Sequence, residues 1–182
     1  MNNNSIENFR IASKRTMASL GNDKLDLSHC ILGMVSELEE YVQAVKNKDM
    51  INCGEEVIDA GFYVVNYMTF RDIKIDFKYT HNKKLESAVL YNMLVLDISA
   101  LSDLVKKYIA YNKEIDKSKE SVLVLRILIT LYELCLSHGI DIEKAMQNNI
   151  NKLLVRFPLE VGYNDESANS RNLKAERAEL EK

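Results

Sequence analysis

The chain has 182 residues, of which 47% are hydrophobic and 28% charged, with one Pro, six Gly, no Trp and a net charge of -3. That length suits one domain with a substantial core, and the composition excludes an intrinsically disordered chain and favours long helices joined by short loops. The slightly acidic balance excludes a global basic field for holding a nucleic acid polymer or an anionic membrane. Cys30, Cys53 and Cys135 form no CxxC pair, which predicts reduced thiols in a cytoplasmic protein and no zinc site. Met1 leads into "NNNSIENFR", which lacks a basic n-region and an apolar h-region, and no apolar run reads as long enough for a membrane span.

In chain order, "SIENFRIASKRTMASL" predicts a first, shorter helix near 5–19 with Ser5 as N-cap, broken by "GND" at 21–23. A second helix is expected from about 28 to 46 and a third from about 49 to 70. "NKKLESAVLYNMLVLDISALSDLVKKYIAYN" predicts a fourth near 83–112, and "KSKESVLVLRILITLYELCLSHG" a fifth near 118–138 that stops at Gly139. Asp141 can cap a sixth, which Pro158 ends. The expected architecture is an all-α bundle of about five to six helices over 1–160, followed by a charged arm, 161–182, that forms a marginal helix or lies across a neighbour. Leu94, Ile98, Leu101, Leu125, Leu128 and Leu131 read as core or subunit interface.

On a helical wheel of the second helix, Ile31, Met34, Val35, Leu38, Val42 and Val45 share one apolar arc, with Glu37 and Glu40 beside it. Their stripe runs Gly33, Glu37, Glu40, Ala44, and its small residues read as clearance for a ligand. On the third helix Asn52, Glu56, Asp59, Tyr63 and Asn66 align, while most of the remaining circumference is apolar, so Glu56 and Asp59 have no easy route to water. If the two helices pack antiparallel, Glu37, Glu40, Glu56 and Asp59 converge. Four carboxylates in one pocket cannot all stay ionised without a cation. A hard divalent ion, Mg²⁺ with Mn²⁺ as a substitute, is the natural compensation; a solvated acidic face is the competing reading of "SELEE" taken alone. Glu39 and, less clearly, Glu55 read as bystanders.

The two segments "ELEE" and "EVID", within "HCILGMVSELEE" and "GEEVIDAGFYVVNYM", resemble the ExxE and ExxD signature of the MazG-like all-α nucleotide pyrophosphohydrolases. His29, Gly33 and the doubled Glu55-Glu56 also look like that family's pattern. The resemblance implies that the four acids hold Mg²⁺ against a nucleoside triphosphate, which water cleaves between the α and β phosphates to give a monophosphate and pyrophosphate. Glu37, Glu56 and Asp59 are then expected as direct ligands, with Glu40 either a ligand or the base for water.

In "NNINKLLVRFP" the residues Asn148, Lys152 and Arg156 fall at four-residue steps, with Asn151 beside them, opposite Met146, Ile150, Leu153, Leu154 and Phe157. Such a stripe suits phosphate oxygens, or else cations resting near a helix C-terminus. The resemblance assigns Asn148, Lys152 and Arg156 to the substrate phosphates, with Lys152 and Arg156 also catalytic. Tyr63 and Asn66 lie where a base or sugar would touch, and a structural hydrogen bond is the alternative for each. Arg171 and Arg177 read as surface or subunit contacts. His29, His81 and His138 are scattered; none reads as a catalytic base, and His138, near a helix C-terminus, is expected to favour its charged form.

The resemblance also implies a homodimer or homotetramer. The expected function is therefore a Mg²⁺-dependent (d)NTP pyrophosphohydrolase. Its rivals are an alarmone (guanosine tetra- or pentaphosphate) hydrolase of the same fold and a helical interaction protein that binds nucleotide without turnover.

Overall fold

A computed structural model describes residues 3–76 and 85–182, which are entirely helical and loop, with no strand among them. They form eight helices: α1 (Asn3–Thr16), α2 (Asp23–Asn47), α3 (Met50–Phe70), α4 (Ser87–Tyr111), α5 (Lys117–Ser137), α6 (Ile142–Arg156), α7 (Asp165–Asn169) and α8 (Leu173–Leu180). The first six match the expected helices. The expected total of five to six is exceeded because the charged arm folds into α7 and α8. His81 lies outside the described residues.

Helix boundaries follow their caps. Gly21 (φ 68°) breaks the chain after α1, and the Asn22 side chain then accepts from the Lys24 and Leu25 amides, so α2 begins five residues earlier than its apolar pattern suggested. At its other end Lys48 adopts a left-handed conformation (φ 57°) and Asp49 caps α3 by accepting from the Asn52 amide at 3.0 Å. Two residues thus join α2 to α3 in a helical hairpin. Asp116 and Asp141 cap α5 and α6. Ser5 does not cap α1; it lies inside the helix and donates to Glu143 Oε1 at 3.1 Å.

Helix α3 is central, buried along Cys53, Val57, Ile58, Ala60, Val64, Val65 and Met68, and it touches α1, α2, α5 and α6. The buried track of α2 is Leu27, Cys30, Ile31, Met34, Leu38, Tyr41 and Ala44. Val35 and Val45, expected in that arc, are 51% and 41% exposed, because the track facing α3 is centred on Met34 and turns Val35 toward a groove shared with Tyr91 and Val95 of α4. Helix α4 is long and apolar enough to cross a membrane by length and composition, contrary to the expectation above; here it buries Leu90, Leu94, Ile98, Leu101 and Val105 and packs on α5 and α2. Leu128 and Leu131 are core, with Leu125 half-buried against it. The three cysteines are buried and free.

Two buried acids away from the acidic pocket are accounted for within the bundle. Glu120 accepts from Tyr67 Oη at 2.6 Å and from Arg71 Nε at 2.7 Å, and Asp97 pairs with Arg126 at 2.9 Å. Burying such groups is tolerated because they are paired. His138 departs from expectation: burial lowers its pKa, and its Nε2 lies 2.7 Å from Tyr41 Oη, so the apolar surroundings outweigh the helix terminus.

Candidate metal centre

The hairpin brings Glu37 of α2 against Glu56 and Asp59 of α3. One carboxylate oxygen from each lies within 4.8 Å of the others. The spacing that stacks Glu56 on Asp59, three residues apart on α3, meets Glu37 because two residues suffice to reverse the chain. Glu40 is exposed and stands at the rim of the same cavity, outside the three-carboxylate cluster.

The electrostatics record the crowding. Burial, then the Asp59 charge, raises Glu37; burial, then Asp59 and Glu55, raises Glu56. Their mutual contact favours the charged form of Glu37 and the protonated form of Glu56. Tyr63 is likewise pushed up by burial and by Glu37 and Asp59. A cluster whose acids must keep a proton to coexist is one that a cation would relieve. Its donors are all carboxylate oxygens, with no Cys and no His among them, a set that suits a hard divalent cation.

Helix α6 supplies the opposing charge. Lys152, 2% exposed, places Nζ 2.5 Å from Asp59 Oδ2 and 3.1 Å from Glu55 Oε1. Burial pulls its pKa down, but Asp59 and Glu55 outweigh burial and the net shift is upward. Asn149 Nδ2 donates to Asp59 Oδ1 at 2.5 Å. Arg156 reaches the cavity and pairs with Glu176 of α8 at 2.5 Å.

The structure moves several expected site residues. Asn148 turns away, donating to the Leu180 carbonyl at 3.3 Å; the amide that meets the acids is Asn149, about 100° further round the helix. Lys152 stands opposite the apolar residues of α6 as expected, yet it is buried, because that side of the helix meets Glu55 and Asp59 of α3. Asn66 is buried and donates to the Phe62 carbonyl at 2.9 Å, away from the cavity, as the structural alternative had it. The clearance at Gly33 is taken by Tyr63: a Cβ there would come within 2.4 Å of its ring.

Two residues set aside from sequence belong to the site. Glu55 is bonded to Lys152, and Arg171 lines the cavity. Both were hidden for the same reason: Lys152 and Arg171 reach across from elements distant in sequence. The cavity, about 300 Å³, is lined both by these charged groups and by aromatic residues. Among the latter, His29 and Phe62 meet the Tyr63 ring edge-on, at centroid distances of 5.7 and 5.3 Å, and Phe157 packs on Tyr163 at 5.5 Å. His29 Nδ1 is buried there without a partner among the described residues.

Comparison of the chain with protein families, with curated proteins and with solved structures finds no match.

Proposed function

We propose that the protein is a divalent-metal-dependent pyrophosphohydrolase of nucleoside triphosphates, acting between the α and β phosphates. The observation that carries this reading is a single cavity lined by the three clustered carboxylates, by Lys152, Arg156 and Arg171, and by the aromatic rings of Phe62, Tyr63, Phe157 and Tyr163. A metal-bound triphosphate is negative along its phosphates and apolar at its base, and a lining of both kinds can receive it. The resemblance of "ELEE" and "EVID" to the MazG-like signature supports the same reaction.

Glu37, Glu56 and Asp59 would hold Mg²⁺, and Mn²⁺ in its place. When bound, the ion supplies Lewis-acid polarisation of a phosphoryl oxygen and neutralises charge that builds there. Metal binding would draw the proton from Glu56 into solvent and restore full charge to the cluster. Lys152 and Arg156 stabilise the phosphate oxygens as the bridging bond breaks. Glu40, exposed at the rim, is free to accept a proton from the attacking water. Tyr63 and Phe62 offer ring surface to the base.

Incubation with Mg²⁺ and a panel of ribo- and deoxynucleoside triphosphates, modified nucleotides and guanosine alarmones, with chromatographic identification of products, tests the reading. Nucleoside monophosphate and pyrophosphate from at least one triphosphate are expected. Turnover of alarmones alone would favour the alarmone hydrolase, and binding with no turnover of any nucleotide would leave an interaction protein.

A further inference from the structure

Glu176 is 2% exposed and sits on α8, yet its carboxylate meets two guanidinium groups that line the cavity. Arg156 donates to it from Nε at 3.1 Å and from Nη2 at 2.5 Å. Arg171 donates from Nε at 3.2 Å and from Nη2 at 2.8 Å. Glu176 itself does not line the cavity, so it stands behind the arginines and not in a ligand's place. Each guanidinium spends one edge on Glu176 and keeps Nη1 without a hydrogen bond among the described residues. Two planar forks are thereby fixed side by side with their remaining donors available to an anion.

We infer that Arg171 is a second phosphate-binding arginine and that Glu176 is the positioning residue that joins it to Arg156 as a clamp for the two distal phosphates of the substrate and for the pyrophosphate released from it. The inference rests on the reading of the cavity as a triphosphate site. The local charge balance at the arginines favours an anion: one carboxylate between two guanidiniums leaves one net positive charge. Glu176 also holds Arg171 back from Glu55 and Asp59, whose charges act on it across the cavity; without that restraint Arg171 would be drawn toward the acids and neutralise them. The segment bearing both residues is fastened independently of them, by Arg177 on Asp49 at 3.1 Å and by Asn148 on the Leu180 carbonyl. Helix α8 therefore braces the arginines from behind the cavity wall, with none of its own residues lining the cavity.

The test is calorimetric titration of the full-length protein with pyrophosphate in the presence of Mg²⁺. Arg171→Ala, a change at a partly exposed side chain, is expected to weaken binding about tenfold or more, as loss of charged hydrogen bonds does, and Arg171→Lys to recover only part of it. Glu176→Gln should weaken binding in the native background and have no further effect in an Arg156→Ala/Arg171→Ala background. In turnover, Arg171→Ala should raise KM more than it lowers kcat. Native-like pyrophosphate binding by Arg171→Ala would overturn the inference, as would a Glu176→Gln loss that persists undiminished in the double-arginine variant. Failure of any triphosphate to be cleaved, with pyrophosphate binding still dependent on Arg171, would sink the pyrophosphohydrolase and leave the clamp; cleavage with unchanged KM in Arg171→Ala would do the reverse.

Discussion

Lys152 Nζ lies 2.5 Å from Asp59 Oδ2, and this contact couples α6 to the acidic hairpin of α2 and α3. The ammonium is 2% exposed, so it is held by the acids and they by it. Removing one partner of a buried ion pair costs roughly 3–5 kcal/mol, because the other charge is left in the interior. Lys152→Met should therefore lower the unfolding free energy of the metal-free protein by an amount of that order in urea titration, and millimolar Mg²⁺ should restore much of it. A variant as stable as the native protein without metal would show that Lys152 does not balance the cluster.

The Glu37–Glu56 pair gives the metal-free protein a specific pH dependence. Burial and neighbouring charge raise the two from the ordinary 4.5 to about 7 and about 9, and they titrate as a unit. An acid whose folded pKa is raised binds more protons folded than unfolded, so its contribution is complete below the unfolded value and is lost as pH rises through the folded one. His138, with its lowered pKa, opposes this trend only below its ordinary 6.5. Between about pH 7 and 9 the unfolding free energy should fall with pH in metal-free buffer, and the slope should shrink in Glu56→Gln. A flat or rising profile in the native protein would contradict the assignment.

Gly33 is required by Tyr63 and not by a ligand. Its added Cβ would meet the ring at 2.4 Å, so Gly33→Ala forces the ring or the helix to move, at about 1–3 kcal/mol. Thermal unfolding should show the loss, and Gly33→Ala/Tyr63→Leu should recover part of it. A Gly33→Ala protein of native stability would mean that Tyr63 has room to turn aside.

The exposed carboxylate at the cavity rim separates base from ligand. Glu40→Gln should leave Mg²⁺ affinity nearly unchanged while lowering kcat by about 100-fold, the effect expected when a general base is lost. Equal losses in metal affinity and in kcat would place Glu40 among the ligands.

Much of the fold was legible because its helices carry strong local signals. Asp141 announced one start, Pro158 one end, and the apolar circumference of α3 its central place. The acidic centre was legible for the same reason, since Glu56 and Asp59 are three residues apart on one helix and the chain turns just before them. The face of α6 was misjudged by one residue, Asn148 for Asn149, because a polar stripe and a buried polar face look alike until the neighbours are known. Glu55 and Arg171 could not be read at all from local pattern: their roles depend on Lys152 and Glu176, which tertiary packing alone brings to them.

The central claim is that Glu37, Glu56 and Asp59 form a divalent-metal centre. Titration of the metal-free protein with Mn²⁺, followed by the loss of the free-ion electron paramagnetic resonance signal, tests it most directly, with Glu37→Gln and Asp59→Asn run alongside. Saturable binding that Mg²⁺ displaces and that either substitution weakens by an order of magnitude or more is the predicted result. Absence of saturable binding, or affinity unchanged in both variants, would contradict it.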